Sequence, residues 1–140
     1  MRREPRSDSI AGQLVAAGPA DTLMFTEIRI VRDPITLNEL RSLAREQFGD
    51  MVKAVVDVQR GIMAIGGELH ADEETTLLDD GSRQSDLWGI NLYPDAAGAD
   101  RVEFDSMINV RPAQGNRSRS VQDGGLRDLI RDVVKRLVRE

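Results

Sequence analysis

At 140 residues, 40% hydrophobic and 31% charged, the chain has the size and balance of one globular domain, and no run approaches the roughly 18 apolar residues of a membrane span. The formal net charge of −5 argues against a whole-surface nucleic-acid footprint and leaves room only for a local basic patch. With no cysteine and a single histidine, disulfides, thiolate metal sites, cysteine nucleophiles and a histidine-built metal centre within the chain are excluded, and cytoplasmic residence is the expectation.

Residues 1–23 read as a flexible leader. Their opening is arginine-rich, Gln13 interrupts the apolar stretch, and Gly18-Pro19 follow too soon for a signal peptide. The domain is then 24–140. Phe25 to Val31 reads as a strand broken by Asp33-Pro34. Thr36 and Glu39 have capping-box spacing, and Leu37, Leu40, Leu43, Ala44 and Phe48 recur at helical intervals until Gly49. Val52, Ala54, Val56 and Val58 share one strand face opposite Lys53 and Asp57, Gln59-Arg60-Gly61 turns the chain, and Ile62 to Ile65 completes a hairpin.

An acidic segment from Glu68 to Asp86 follows, with a short helix expected over Ala71 to Leu78 and acids in its first turn. Leu87 to Tyr93 reads as a strand with Trp88, Ile90 and Leu92 on one side. The alternation of Val102, Phe104, Ser106, Ile108 and Val110 with Glu103, Asp105, Met107 and Asn109 predicts a long strand, ended by Pro112. Leu126, Leu129, Ile130, Val133, Val134 and Leu137 form the stripe of a final helix, with Asp123 as its cap.

The expected fold is α+β, a single compact domain in the order β-α-β-β-α-β-β-α. It has a mostly antiparallel sheet of about five strands, with the helices on one face and the first and last helices packed together.

The best functional candidate is the loop after the long strand. Arg111, Gln114, Asn116, Arg117 and Arg119, with Asn109 just before them, concentrate guanidinium forks and amides around Gly115, a combination that suits a nucleotide or an RNA phosphate. The leading expectation is therefore a small module binding an anionic ligand. A second reading gives His70, Glu73 and Asp105 to a divalent cation, manganese or iron in preference to zinc, as a metal-dependent hydrolase or nuclease. Glu103 and Asp105, joined by Asp57, also offer carboxylates for acid–base work, and Trp88 with Tyr93 offers a stacking platform. A third reading is a protein-interaction or regulatory domain in which the arginine loop pairs with the acidic segment. Neither G-x-x-x-x-G-K nor G-x-G-x-x-G occurs.

Three stretches, G-E-L-H-A-D-E-E (67–74), D-L-W-G-I-N-L-Y-P (86–94) and E-F-D-S-M-I-N-V-R-P-A-Q-G-N-R-S-R (103–119), resemble a family of small prokaryotic proteins known only as a domain of unknown function. The resemblance covers about Met24 to the C-terminus. It implies a domain boundary and neither an activity nor a cofactor.

Overall fold

The computed structural model describes residues 27–140, so the expected leader and the start of the strand expected from Phe25 lie outside the described residues. Strand β3 (Val52–Asp57) is central in a five-stranded antiparallel sheet. β4 (Ile62–Ile65) and β5 (Leu87–Leu92) flank it, β1 (Arg29–Val31) lies outside β4, and β6 (Val102–Glu103) lies outside β5. The β3–β4 turn is held by Asp57, whose Oδ1 accepts from the backbone N–H groups of Gln59 and Arg60, each at 2.9 Å, while Oδ2 accepts from Ser82 Oγ at 2.6 Å. Asp57 is thus consumed by a turn and does not join Glu103 and Asp105.

The first helix, α1 (Leu37–Glu46), starts at the Thr36–Glu39 capping box, in which each residue bonds the other's backbone N–H. The last, α3 (Gly124–Leu137), is capped by Asp123. Their apolar stripes meet Val52, Ala54, Val56, Met63, Ile65, Trp88, Ile90 and Leu92 in one core on one face of the sheet. A parallel pair, β2 (Ile35–Thr36) with β7 (Val138–Arg139), ties the entry of α1 to the exit of α3.

The remaining helix, α2 (His70–Asp79), covers the other face. Its Leu77 packs on Val55, Ile62, Ala64 and Leu87. The α+β order and the antiparallel sheet are as expected, but the helices do not all share one face. Strands β3, β4 and β5 are apolar on both sides, so each side needs a cover.

The expected long strand from Val102 is the main departure. Regular pairing stops at Glu103, and residues Met107–Asn109 form a short 3-10 turn that Ser106 caps by accepting from Ile108 N–H at 3.2 Å. β6 pairs only with Asn91 and Leu92, so the Leu87–Gly89 end of β5, paired with β3 on its inner edge, has no strand on its outer edge. Side chains take that role. Asn109 Oδ1 accepts from Gly89 N–H at 2.8 Å, and its Nδ2 donates to Gly89 C=O at 2.9 Å. Arg111 donates to the Leu87 carbonyl. Gly89 is required for this close approach, because a Cβ there would lie 2.6 Å from Ser106 Cβ.

Candidate functional site

Most of the arginine–amide loop serves the fold. Arg111 stacks on Trp88 with its guanidinium 4.5 Å from the ring and donates to the Ile108 and Gln84 carbonyls, each at 2.9 Å. Its Nη2 lies 3.7 Å from Glu74 Oε2, too long for a hydrogen bond, so that contact is purely electrostatic. Burial lowers the Arg111 pKa and the Glu74 charge opposes that shift. Asn116 Nδ2 donates to the carbonyls of Asn109, Ser118 and Ser120, and its Oδ1 accepts from Gln122 N–H at 2.9 Å. Gln114 reaches Ser85 O at 3.2 Å.

Arg111, Asn109, Asn116 and Gln114 are therefore committed to protein partners. Arg117 is exposed, with its backbone N–H held by Gln122. Arg119 points elsewhere, to a cleft. Trp88 is buried under Arg111 on the α1–α3 face, so it forms no platform with Tyr93.

That cleft, of about 410 Å³, opens between the start of α2 and the polar side of β3, β5 and β6. Its floor is a row set by strand register: Lys53 on β3 stands opposite Asn91 on β5, which stands opposite Glu103 on β6. Asn91 Nδ2 donates to Glu103 Oε1 at 2.9 Å and to Asp105 O at 3.3 Å, and Tyr93 OH donates to the same Glu103 oxygen at 3.1 Å. Burial and the Glu103 charge both raise the Tyr93 pKa, which keeps the phenol a donor. Arg119 closes one side through an exposed ion pair with Asp105 at 2.7 Å. The Lys53 ammonium sits 5.4 Å from the Phe48 ring and has no ion-pair partner among the described residues.

His70, the first residue of α2, leans over this floor, with Nε2 2.7 Å from Ile90 O. A carbonyl only accepts, so Nε2 carries the proton and Nδ1 of the neutral ring is the lone-pair nitrogen. Burial lowers the His70 pKa most; the bond to Ile90 opposes that, Lys53 and Arg119 reinforce it, and Asp105 opposes it. The N-terminus of α2 has no side-chain cap, whereas α1 and α3 both do. Leu69 and Met107, 57% and 66% exposed, form an apolar rim.

His70 and Asp105 thus converge, but Glu73 does not join them. It is fully buried, and its Oε2 accepts from Gly67 N–H at 2.9 Å. Burial pushes its pKa well up, against the Gly67 bond and Lys53. Among the described residues no three His, Asp or Glu side chains gather to hold a metal ion, so the His70–Glu73–Asp105 centre is not formed. A second hollow, of about 560 Å³, includes Gln114 and Asn116 along its walls. Its one charged group, Asp123, is already capping α3.

A family model described as "Protein of unknown function (DUF5674)" matches residues 29–137, from the first residue of β1 to the last of α3. The chain belongs to this DUF5674 family. No curated protein and no solved structure matches it. In this DUF5674 domain, His70, Asp105 and Arg119 are the cleft residues that sequence singled out as site candidates. The sequence offers Glu103 for its carboxylate and Tyr93 only as half of a stacking platform, while Lys53 and Asn91 are missed. The signal for Lys53 and Asn91 was one polar residue inside an otherwise apolar strand, V-K-A-V-V and G-I-N-L, which marks a side chain with something to hold.

Proposed function

We propose that the protein binds a small organic anion, of the nucleotide or phosphorylated-metabolite kind, in the cleft between the start of α2 and the β3–β5–β6 floor. The observation that carries this reading is the convergence of Lys53, Arg119 and the uncapped α2 N-terminus on one cleft around a neutral His70. Lys53 has no carboxylate to satisfy it among the described residues, and Arg119 holds only an exposed pair of small energetic worth, about 0–1 kcal/mol, so both are available to an incoming anion. Leu69 and Met107 on the rim suit an organic body beyond the charged group.

Glu103 and Asp105 line the same cleft and would repel a polyanion, which favours a small ligand over an RNA strand. The cysteine-free sequence supports a cytoplasmic setting. The test is calorimetric titration with inorganic phosphate and adenosine monophosphate at low and high salt. Binding should weaken with salt and fall about ten-fold or more in Lys53→Ala and in Arg119→Ala, while Arg117→Ala leaves it unchanged. Loss of binding in Arg117→Ala with full binding in Lys53→Ala would return the site to the 111–119 loop and overturn this reading.

A further inference from the structure

The cleft floor contains an acceptor that the described residues leave unused. Asn91 is only 5% exposed, it lines the cleft, and its Oδ1 is buried without a hydrogen-bond partner among the described residues. The orientation of the amide is fixed by chemistry: turning it over would set its oxygen against Glu103 Oε1 and Asp105 O, which now accept from Nδ2. A buried acceptor left unpaired is a standing cost, and a partner that supplies a donor there recovers it. Neighbouring groups do not supply one. The Glu103 carboxylate has no donor, the Tyr93 hydroxyl is directed to Glu103, and the Lys53 ammonium lies against Phe48.

We infer that the cleft reads a hydrogen-bond donor on its ligand as well as a charge: Asn91 Oδ1 accepts from a hydroxyl or amino group carried within a few bonds of the ligand's phosphate or carboxylate. The inference rests on the anion-binding reading above and narrows it to hydroxylated or aminated small anions. Lys53 stands directly across the β3–β5 pair from Asn91 and is the long, flexible group beside it. This mode of binding requires Lys53 to swing from Phe48 onto the ligand's anionic group and the buried Asn91 oxygen to open to the neighbouring donor. A polar floor paired this way discriminates strongly, because a ligand without the donor leaves the acceptor buried and unpaired.

The test uses three probes of matched size: ethyl phosphate, 2-hydroxyethyl phosphate and 2-aminoethyl phosphate, titrated into the full chain by calorimetry. The expected result is that one or both donor-bearing probes bind about ten-fold tighter than ethyl phosphate, and that this ratio collapses toward one in Asn91→Ala. The ratio compares ligands on one protein, so an overall loss of stability in the variant does not blur it. Equal affinities for all three probes on the unaltered chain overturn the inference while leaving anion binding in place. So does a preference that persists in Asn91→Ala, since another group then reads the donor. Failure of all three probes and of inorganic phosphate removes the anion site itself, and this inference with it.

Discussion

Asn109 holds both backbone polar groups of Gly89, accepting from its N–H at 2.8 Å and donating to its C=O at 2.9 Å, as a neighbouring strand would. Asn109 is fully buried and its Nδ2 also reaches Arg119 O at 2.9 Å, so one carboxamide splices the 105–119 segment onto β5. Asn109→Ala strands a buried N–H and a buried C=O and should cost about 3 kcal/mol. Asn109→Asp should cost at least as much, because a carboxylate keeps the N–H partner but faces the Gly89 carbonyl. Urea unfolding of both variants checks this; a midpoint unchanged in Asn109→Ala would mean that the splice is not what holds the loop.

Arg111 and Arg117 look interchangeable in sequence and are opposite in the structure. Arg111 is an internal strut, stacked on Trp88, bonded to three carbonyls and facing Glu74, with its side chain only 10% exposed. Arg111→Ala should destabilise by about 3 kcal/mol, since it leaves the half-buried Glu74 without its cation and frees several carbonyls. Arg117→Ala should stay within about 0.5 kcal/mol of the parent. Thermal unfolding of the pair separates the two roles, and a larger loss in Arg117→Ala would contradict the assignment.

The contrast shows which parts of the molecule are legible locally. The Thr36–Glu39 box, the Asp57–Gly61 turn and the α3 stripe are written within a few residues of themselves, so reading them needs no partner. The 102–110 segment alternates like a strand, yet Ser106 and Asn109 do backbone work with side chains, and the target of Asn109 is twenty residues upstream at Gly89. The cleft was hidden for the same reason. Lys53, Asn91 and Glu103 become one row only when strand order and register are fixed, and neither is encoded in any single strand. Helices on both faces were foreshadowed by V-K-A-V-V and I-M-A-I, whose apolar residues exceed what one sheet face can use.

Glu73 gives a pH signature to the floor of α2. It is buried, with Oε2 on Gly67 N–H and Oε1 unpartnered among the described residues, and burial raises its pKa well above the ordinary carboxylate range. The folded state therefore holds this proton more tightly than the unfolded chain does. Its stabilising contribution is complete below the unfolded value of about 4.3 and is lost as pH rises through the folded value. Glu73→Gln keeps an oxygen for Gly67 N–H and has no proton to lose. It should match the parent in acid and exceed it in melting temperature at neutral and alkaline pH. Parallel melting curves across pH decide this, and a variant less stable at every pH would show that the carboxylate form is the one the fold uses.

His70 offers the most direct view of the cleft, because the chain has no other histidine and a single imidazole is read without assignment. In the free protein burial holds its pKa down, with Lys53 and Arg119 acting in the same direction and the Ile90 bond and Asp105 opposing. It should titrate below the ordinary histidine value of roughly 6.5. The depressed value also means that stability present above that pH is lost as pH falls toward the folded value, where the buried ring must take a proton. An anion seated between Lys53 and Arg119 offsets the two charges that disfavour the imidazolium. Its arrival should move the His70 titration upward, and by linkage the anion should bind more tightly as pH falls through that range. Proton NMR of the imidazole, titrated with and without phosphate, measures both sides of that linkage. An upward shift that disappears in Lys53→Ala would place the anion beside His70. A titration indifferent to phosphate, in a sample where calorimetry records binding, would put the ligand somewhere else on the molecule.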